Sequence, residues 1–281
     1  MQILELDYNQ VLSILPDRRQ DAHKGDFGRI LLLCGSRGYT GAAALAAMGA
    51  LRSGAGLVYL AVPESIYAIE AVKLTEPVVL PLPDKDGMLS SEAVKPVLEL
   101  LPKMDAVLVG PGWGKSEGNL AVLQTVLSEF AGPVVLDADG INLLARHKDL
   151  VRGRSGATIL TPHDGEFRRL MPMSDGRQAS AVSLARELGC IVLLMGHGTL
   201  ITDGEYCYRN PTGNPGMAVG GSGDVLAGII VSLLGQGLEP LHAASVGAWL
   251  HGAAGDRCAE KMGQYGMLPS DVLLELPRLL K

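Results

Sequence analysis

The stretch Arg29-Ile-Leu-Leu-Leu-Cys-Gly35, continued by the turn Ser36-Arg-Gly-Tyr-Thr-Gly41 and the Ala-rich run Ala42–Arg52, decides the fold. An unbroken apolar run ended by glycine reads as a strand buried on both faces, since a half-exposed strand would alternate polar with apolar residues. The glycine turn and helical run behind it complete a strand–turn–helix unit. That unit recurs along the chain: Leu57–Val62 precedes Ser65–Leu74, Val78–Leu82 precedes Glu92–Leu101, Ala106–Gly110 precedes Leu120–Phe130, Val134–Leu136 precedes Ile141–His147, and Thr158–Leu160 precedes Glu166–Leu170. Ile191–Met195 follows the helical run Ala179–Leu188. The alternation predicts an α/β, doubly wound fold, with a mostly parallel central sheet covered by helices on both faces. Thr199–Thr202 and Glu205–Arg209 flank the turn signal Asp203-Gly204, which predicts a small antiparallel edge hairpin. Ahead of all this lie a polar start and a short amphipathic segment, Tyr8–Leu15. Without a linker, charge block or repeat, residues 1–281 read as a single domain.

Composition narrows the function classes. Of 281 residues, 47% are hydrophobic and 19% charged, enough apolar surface to bury a large core and to exclude disorder as a theme. The balance of 24 Lys+Arg against 30 Asp+Glu gives a net charge of −6, which argues against a broad nucleic-acid or anionic-membrane footprint. A phosphate ligand must therefore be held locally, and the 36 glycines suggest how. Cys34, Cys190, Cys207 and Cys258 are scattered without metal-ligand or redox spacing, as expected in a reduced cytosol. The N-terminus lacks a signal-peptide pattern, and the longest strongly apolar stretch, Val225–Leu234, is too short for a membrane span. The expectation is a soluble, cytoplasmic protein.

In open α/β sheets ligands bind beyond the carboxyl ends of the strands, so the residues directly after each strand matter most. The richest such segment is Asn210-Pro-Thr-Gly-Asn-Pro-Gly-Met-Ala-Val-Gly-Gly-Ser-Gly-Asp-Val-Leu-Ala-Gly228. Gly220, Gly221 and Gly223 let backbone N–H groups surround an anion, and a helix starting near Asp224 adds its positive end: a phosphate cradle without basic side chains. The plainer reading is a flexible loop before an N-capped helix, with Asp224 as the capping acid. In Thr158-Ile-Leu-Thr-Pro-His-Asp-Gly-Glu-Phe167, Asp164 and Glu166 either complement a helix dipole, or Glu166 orders metal-bound water while His163 contacts substrate. Asp137 and Asp139, just past the strand Val134–Leu136, suit a polyhydroxy ligand or hydrated Mg²⁺ and suit turn chemistry equally well. Gly110-Pro-Gly-Trp-Gly114 is a glycine turn against which a ligand fits, with Trp113 covering either that ligand or the core. His242 and His251 read as core or surface residues.

The order of these motifs resembles a known family. His23-Lys-Gly-Asp-Phe-Gly28, Gly35-Ser36 with Tyr39-Thr-Gly-Ala-Ala43, Gly54-Ala-Gly-Leu-Val58, Gly110-Pro-Gly112, Asp137-Ala-Asp139 with Asn142, Thr161-Pro-His163 with Glu166, and Asn214-Pro-Gly-Met217 with Gly220-Gly-Ser-Gly-Asp224 are similar to the ADP/ATP-dependent NAD(P)H-hydrate dehydratases of the ribokinase-like superfamily. The resemblance covers roughly residues 20 to 275. It implies dehydration of the S-form hydrates NADHX and NADPHX to NADH and NADPH, driven by ADP or ATP with Mg²⁺. It further implies Asp224 as the catalytic residue, Ala42, Gly112, His163 and Asp224 as hydrate contacts, and Glu166 as a metal-associated acid acting through water. Met195, Gly196, His197, Gly198, Thr199, Gly221, Ser222 and Gly223 are the implied nucleotide contacts. The functional partner it implies is an NAD(P)H-hydrate epimerase, on a separate chain. A homo-oligomer, with a tetramer favoured, is also implied, and the small-residue helices Ala42–Arg52 and Ala243–Ala254 are candidates for packing between subunits.

One position departs from the pattern: where the family commonly has Lys, this chain has Met195, which offers no charge to a phosphate. Three outcomes stay open: weaker nucleotide binding, an altered ADP/ATP preference, or recruitment of another basic residue. A vitamin or sugar kinase of the same superfamily would share the glycine cradle, but His163, the Asn214-Pro-Gly-Met217 lead-in and the His23-Lys-Gly start favour the dehydratase. A nucleotide-sensing non-enzyme is the third reading, motivated by Met195.

Overall fold

A computed structural model describes residues 2–280. Its strands are β1 (Ile3–Leu4), β2 (Arg29–Leu33), β3 (Leu57–Pro63), β4 (Val78–Leu82), β5 (Asp84–Lys85), β6 (Met88–Leu89), β7 (Ala106–Val109), β8 (Val134–Leu136), β9 (Thr158–Leu160), β10 (Ile191–Leu194), β11 (Leu200–Thr202) and β12 (Cys207–Arg209). All but β5 and β6 join one sheet in the order β1-β12-β11-β10-β9-β8-β7-β2-β3-β4. Pairing is parallel from β4 through to β10 and antiparallel across β10, β11 and β12.

The continuous apolar runs are explained by side chains alternating between two cores. Ile30, Leu32, Leu108, Val135, Ile159 and Leu193 enter one, while Leu31, Leu33, Val107, Val109, Leu136, Leu160, Val192 and Leu194 enter the other. Helices Thr40–Arg52, Ser222–Gly235, Pro240–Met262 and Pro269–Glu275 close the first core; Glu117–Glu129, Asp164–Leu170 and Arg177–Leu188 help close the second. This is the doubly wound arrangement expected. The hairpin Leu200–Arg209 is present too, but it is not the edge: Ile3–Leu4, in the stretch read as a polar start, pairs parallel with Cys207–Tyr208 outside it. Two residues carry too little periodicity to register as a strand, and only the exposed backbone of β12 recruits them. The short hairpin β5–β6 was not expected either, although Asp86-Gly87, both at positive φ, is a hairpin turn signal of the same kind as Asp203-Gly204.

Much of the small-residue surface of the helices Thr40–Arg52 and Pro240–Met262 is buried within the chain. Ala43, Ala46, Ala47 and Ala50 are fully buried, as are Ala243, Ala244 and Ala254. The helix Thr40–Arg52 makes its principal contact with Ser222–Gly235 at backbone distance, because a Cβ at Gly228 would stand 2.2 Å from the Ala46 carbonyl oxygen and one at Gly49 would stand 2.6 Å from that of Val225. Both helices begin beyond the carboxyl ends of the strands, so this contact sets the spacing of two glycine turns. Gly228→Ala is expected to cost about 1–3 kcal/mol, read as a lower urea midpoint. Gly220→Ala, with open space around it, should leave the midpoint within about 0.5 kcal/mol of the parent.

Candidate active site

Strands β2, β7, β8, β9 and β10 are consecutive neighbours or nearly so in the sheet, and the loops that follow them are stitched together by main-chain hydrogen bonds. Gly35 N–H donates to the Pro111 carbonyl at 2.8 Å, Thr161 N–H to Leu136 at 3.1 Å and Met195 N–H to Pro162 at 2.9 Å. The Ser36 hydroxyl adds a bond to the Gly112 carbonyl at 2.8 Å. The result is one floor of glycine turns, as expected for ligand binding at strand ends.

On one side of this floor the structure brings Ala42 and Gly112 together. Gly112 adopts φ +60°, and a Cβ there would lie 2.7 Å from that of Ala42, so glycine is required by both conformation and space. On the other side Met195 meets the glycine cradle: a Cβ at Gly223 would lie 3.8 Å from its Sδ. Met195–Thr199 and Gly221–Gly223 thus form one neighbourhood, with the Thr199 hydroxyl closing the turn onto the Gly196 carbonyl at 2.9 Å. The helix after the cradle starts at Ser222, close to Asp224 as expected, with Gly221 in left-handed conformation as its cap, which leaves Asp224 in the first turn and not as the capping acid.

Carboxylates collect at the centre. Asp137 is buried, and the Thr161 hydroxyl donates to its Oδ1 at 2.8 Å. Burial, the Asp224 carboxylate and then the Glu166 carboxylate hold the Asp137 carboxyl well above the usual range, against the pull of the Thr161 hydroxyl and the Ala138 amide. Burial likewise pushes Asp224 up to about 6. Ala138, at φ 47°, is a non-glycine residue in left-handed territory directly after Asp137, strain of the kind concentrated at functional sites. The Cys34 thiol is buried and raised by burial first and then by Asp224 and Asp137, which makes it a neutral packing group and not a nucleophile. The two acids after β8 part company: Asp139 accepts from Gly114 N–H at 2.8 Å and from Asn142 at 3.0 Å, a turn lock.

His163 caps the helix Asp164–Leu170. Its Nδ1 accepts from Gly165 N–H at 2.9 Å, and Glu166 answers by accepting from His163 N–H at 3.1 Å. The His163 ring is more than half exposed, with its Nε2 3.5 Å from Glu166 Oε1. Trp113 is fully buried and belongs to the core.

Three residues that sequence reasoning missed support the floor. Arg177 donates to the Leu194 and Met195 carbonyls at 3.1 and 2.8 Å and pairs with Asp164, placing a cation beside the uncharged Met195. His251, set aside as a core or surface residue, lies with Nε2 3.4 Å from the Ser222 hydroxyl, and burial pushes it down to about 4, so it is neutral. Asp256 accepts from Gly213 N–H at 2.8 Å and Asn214 at 2.9 Å, fastening the lead-in to the cradle. The only sequence hint is the spacing of His251, Gly252, Gly255 and Asp256 along one helix.

The family described as NAD(P)H-hydrate dehydratase matches residues 30–278. The chain belongs to the NAD(P)H-hydrate dehydratase family. It is 45% identical over 277 residues to the bifunctional NAD(P)H-hydrate repair enzyme Nnr of Moorella thermoacetica, covering 96% of this chain and 52% of that relative. The chain thus spans about half the length of the curated relatives it matches. The ADP/ATP-dependent NAD(P)H-hydrate dehydratase of Bacillus subtilis, co-crystallised with ATP/Mg²⁺, is 30% identical with a TM-score of 0.85, covering 99% of this chain and 98% of that one. A hydroxyethylthiazole kinase of Pyrococcus horikoshii shares the ribokinase-like fold, at 17% identity and a TM-score of 0.64 over 98% and 92% of the two chains. Among the described residues no helix is long and apolar enough to cross a membrane, and no three or more His, Cys, Asp and Glu side chains assemble a complete metal centre.

The carboxylate pair has a direct test. In carboxyl-carbon NMR titrations Asp224 should titrate near pH 6 and Asp137 above its ordinary range, and Asp224→Asn should lower the Asp137 midpoint by removing a neighbouring charge.

Proposed function

We propose that this chain dehydrates the S-form hydrates NADHX and NADPHX to NADH and NADPH at the expense of ADP or ATP, with Asp224 as the general base. The observation that carries this reading is Asp224 itself: a carboxylate raised to about 6, in the first turn of a helix entered through Gly220-Gly-Ser-Gly223. A base poised just below neutrality is ionised at physiological pH yet can take a proton.

Ala42, Gly112 and His163 hold the hydrated nicotinamide beside Asp224, which accepts the proton of the ring hydroxyl as its oxygen attacks the terminal phosphoryl group. The amides of Gly221, Ser222 and Gly223 surround the phosphoryl oxygens, and Met195–Thr199 takes the nucleotide. The poor leaving group hydroxide becomes phosphate, the ring nitrogen's lone pair expels it, and loss of the adjacent ring proton restores the dihydronicotinamide. Mg²⁺ fits this site because it keeps several waters and phosphate oxygens and asks the protein for one or two carboxylates. Glu166, acting through water, and the neighbouring Asp137 are the residues that would serve it, and its chemistry is to spread phosphoryl charge.

We assign this activity to one ribokinase-like domain acting in the cytoplasm as a homo-oligomer, a tetramer by family resemblance, in concert with an epimerase that interconverts the two hydrate forms. Nucleic acid and membrane have no part in it.

With NADPHX, Mg²⁺ and ADP or ATP, absorbance of the dihydronicotinamide should rise; accumulation of a phosphorylated alcohol would show a kinase instead, and nucleotide binding without turnover a sensor. The rate should fall below about pH 6, as Asp224 becomes protonated, and stay level above it. Asp224→Asn should fold normally and lose about 10²–10⁴-fold in turnover. Met195→Lys should lower the nucleotide KM by supplying a point charge beside Gly223; an unchanged value would remove position 195 from the nucleotide site.

A further inference from the structure

A cleft of about 570 Å³ opens beside the floor of glycine turns, lined among others by Lys115, Asn142, Arg146, His147 and Arg169. Its charge is out of keeping with the chain. Three permanent cations, Lys115, Arg146 and Arg169, face one lining carboxylate, Glu117, in a protein of net charge −6. Lys115 makes a long, half-exposed ion pair with Asp139 at 3.9 Å, while Arg169 spends one nitrogen on the neutral Asn142 Oδ1 at 2.6 Å, which aims the guanidinium without discharging it.

The cleft shares chain segments with the proposed hydrate subsite. Lys115 is three residues beyond Gly112, a reach of at most about 11 Å along the chain. Asn142 belongs to the segment that starts at Asp137, and Arg169 to the helix capped by His163. The segments that carry Gly112 and His163, and the one that carries Asp137, therefore each lead within a few residues to a lining residue of the cleft. The volume lies in the range of sites for nucleotide-sized ligands.

We propose that this cleft binds the phosphate-bearing adenosine half of the hydrated dinucleotide, with Lys115, Arg146 and Arg169 as its anion contacts. The proposal rests on the dehydratase reading for its substrate, but not for its test. A dinucleotide whose reacting ring must sit at Asp224 gains orientation from a remote anion site, and binding energy from such remote groups serves the reacting centre. The two nucleotides would then enter from opposite sides of the floor, the adenine co-substrate over Met195–Thr199 and the hydrate's distal half over Lys115–Arg169. Extra charge on the ribose makes NADPHX the tighter substrate of the pair.

The test is calorimetric titration with stable probes, NADP⁺ and NAD⁺, and separately ATP with Mg²⁺, against the parent protein and the triple variant Lys115→Met, Arg146→Met, Arg169→Met. The parent should bind NADP⁺ more tightly than NAD⁺. The triple variant should lose at least about tenfold in NADP⁺ affinity while its ATP affinity stays within about twofold. The double variant Lys115→Met, Arg146→Met keeps the Arg169–Asn142 bond and should show the same direction of change, which guards against a folding defect in the triple variant. An unchanged NADP⁺ affinity in a folded variant, a parallel loss of ATP affinity, or a parent that takes up no NADP⁺ each overturns the proposal. A protein that binds NADP⁺ as described yet dehydrates no hydrate leaves this site standing and removes the activity instead.

Discussion

The backbone contact between the helices Thr40–Arg52 and Ser222–Gly235 is the constraint on which the site depends. Gly49 and Gly228 let carbonyl groups of one helix approach the axis of the other to a distance that even a methyl group would prevent. Both helices start above the same strand ends. Their separation therefore sets the distance between the Ala42–Gly112 side of the floor and the Gly221–Asp224 cradle. Small residues inside the chain thus act as a ruler.

Electrostatics explains why such precision is needed. A chain with a net charge of −6 handles anionic ligands through backbone N–H groups and a helix end, whose partial charges cost no self-repulsion elsewhere. The same floor must hold carboxylates: burial raises Asp224, and burial followed by the charge of Asp224 raises Asp137. The site is therefore poised between ionised and protonated forms, and ligand cations or bound metal would shift that balance. Support comes from outside the motifs: Thr161 steadies Asp137, neutral His251 lies against Ser222, and Asp256 ties down the chain leading into the cradle.

Much of this was legible because local rules and the global fold agree. Runs such as Ile30–Leu33 and Ile191–Leu194 can only be buried on both faces, and glycine turns after them can only be strand-end loops. Some of what the sequence hid rests on long-range pairing. Ile3–Leu4 is a strand only because β12 offers it hydrogen bonds, more than 200 residues away in the chain. Asp137 and Asp139 look alike in sequence, yet one turns into the carboxylate cluster and the other locks the Gly114 turn. Glu166 lies in the first turn of its helix, as the plainer reading expected, but the reciprocal cap between it and His163 had no sequence signal.

What the sequence by itself determined is the layered α/β architecture and the segments that meet at the strand ends, because burial periodicity and glycine turns are local properties of the chain. Only the tertiary structure decided which of those residues touch. Met195 against Gly223, Arg177 behind Met195, Asp224 beside Asp137 and the cations of the Lys115–Arg169 cleft come from separate stretches of sequence, and their proximity is a product of strand order and helix spacing that no local pattern encodes.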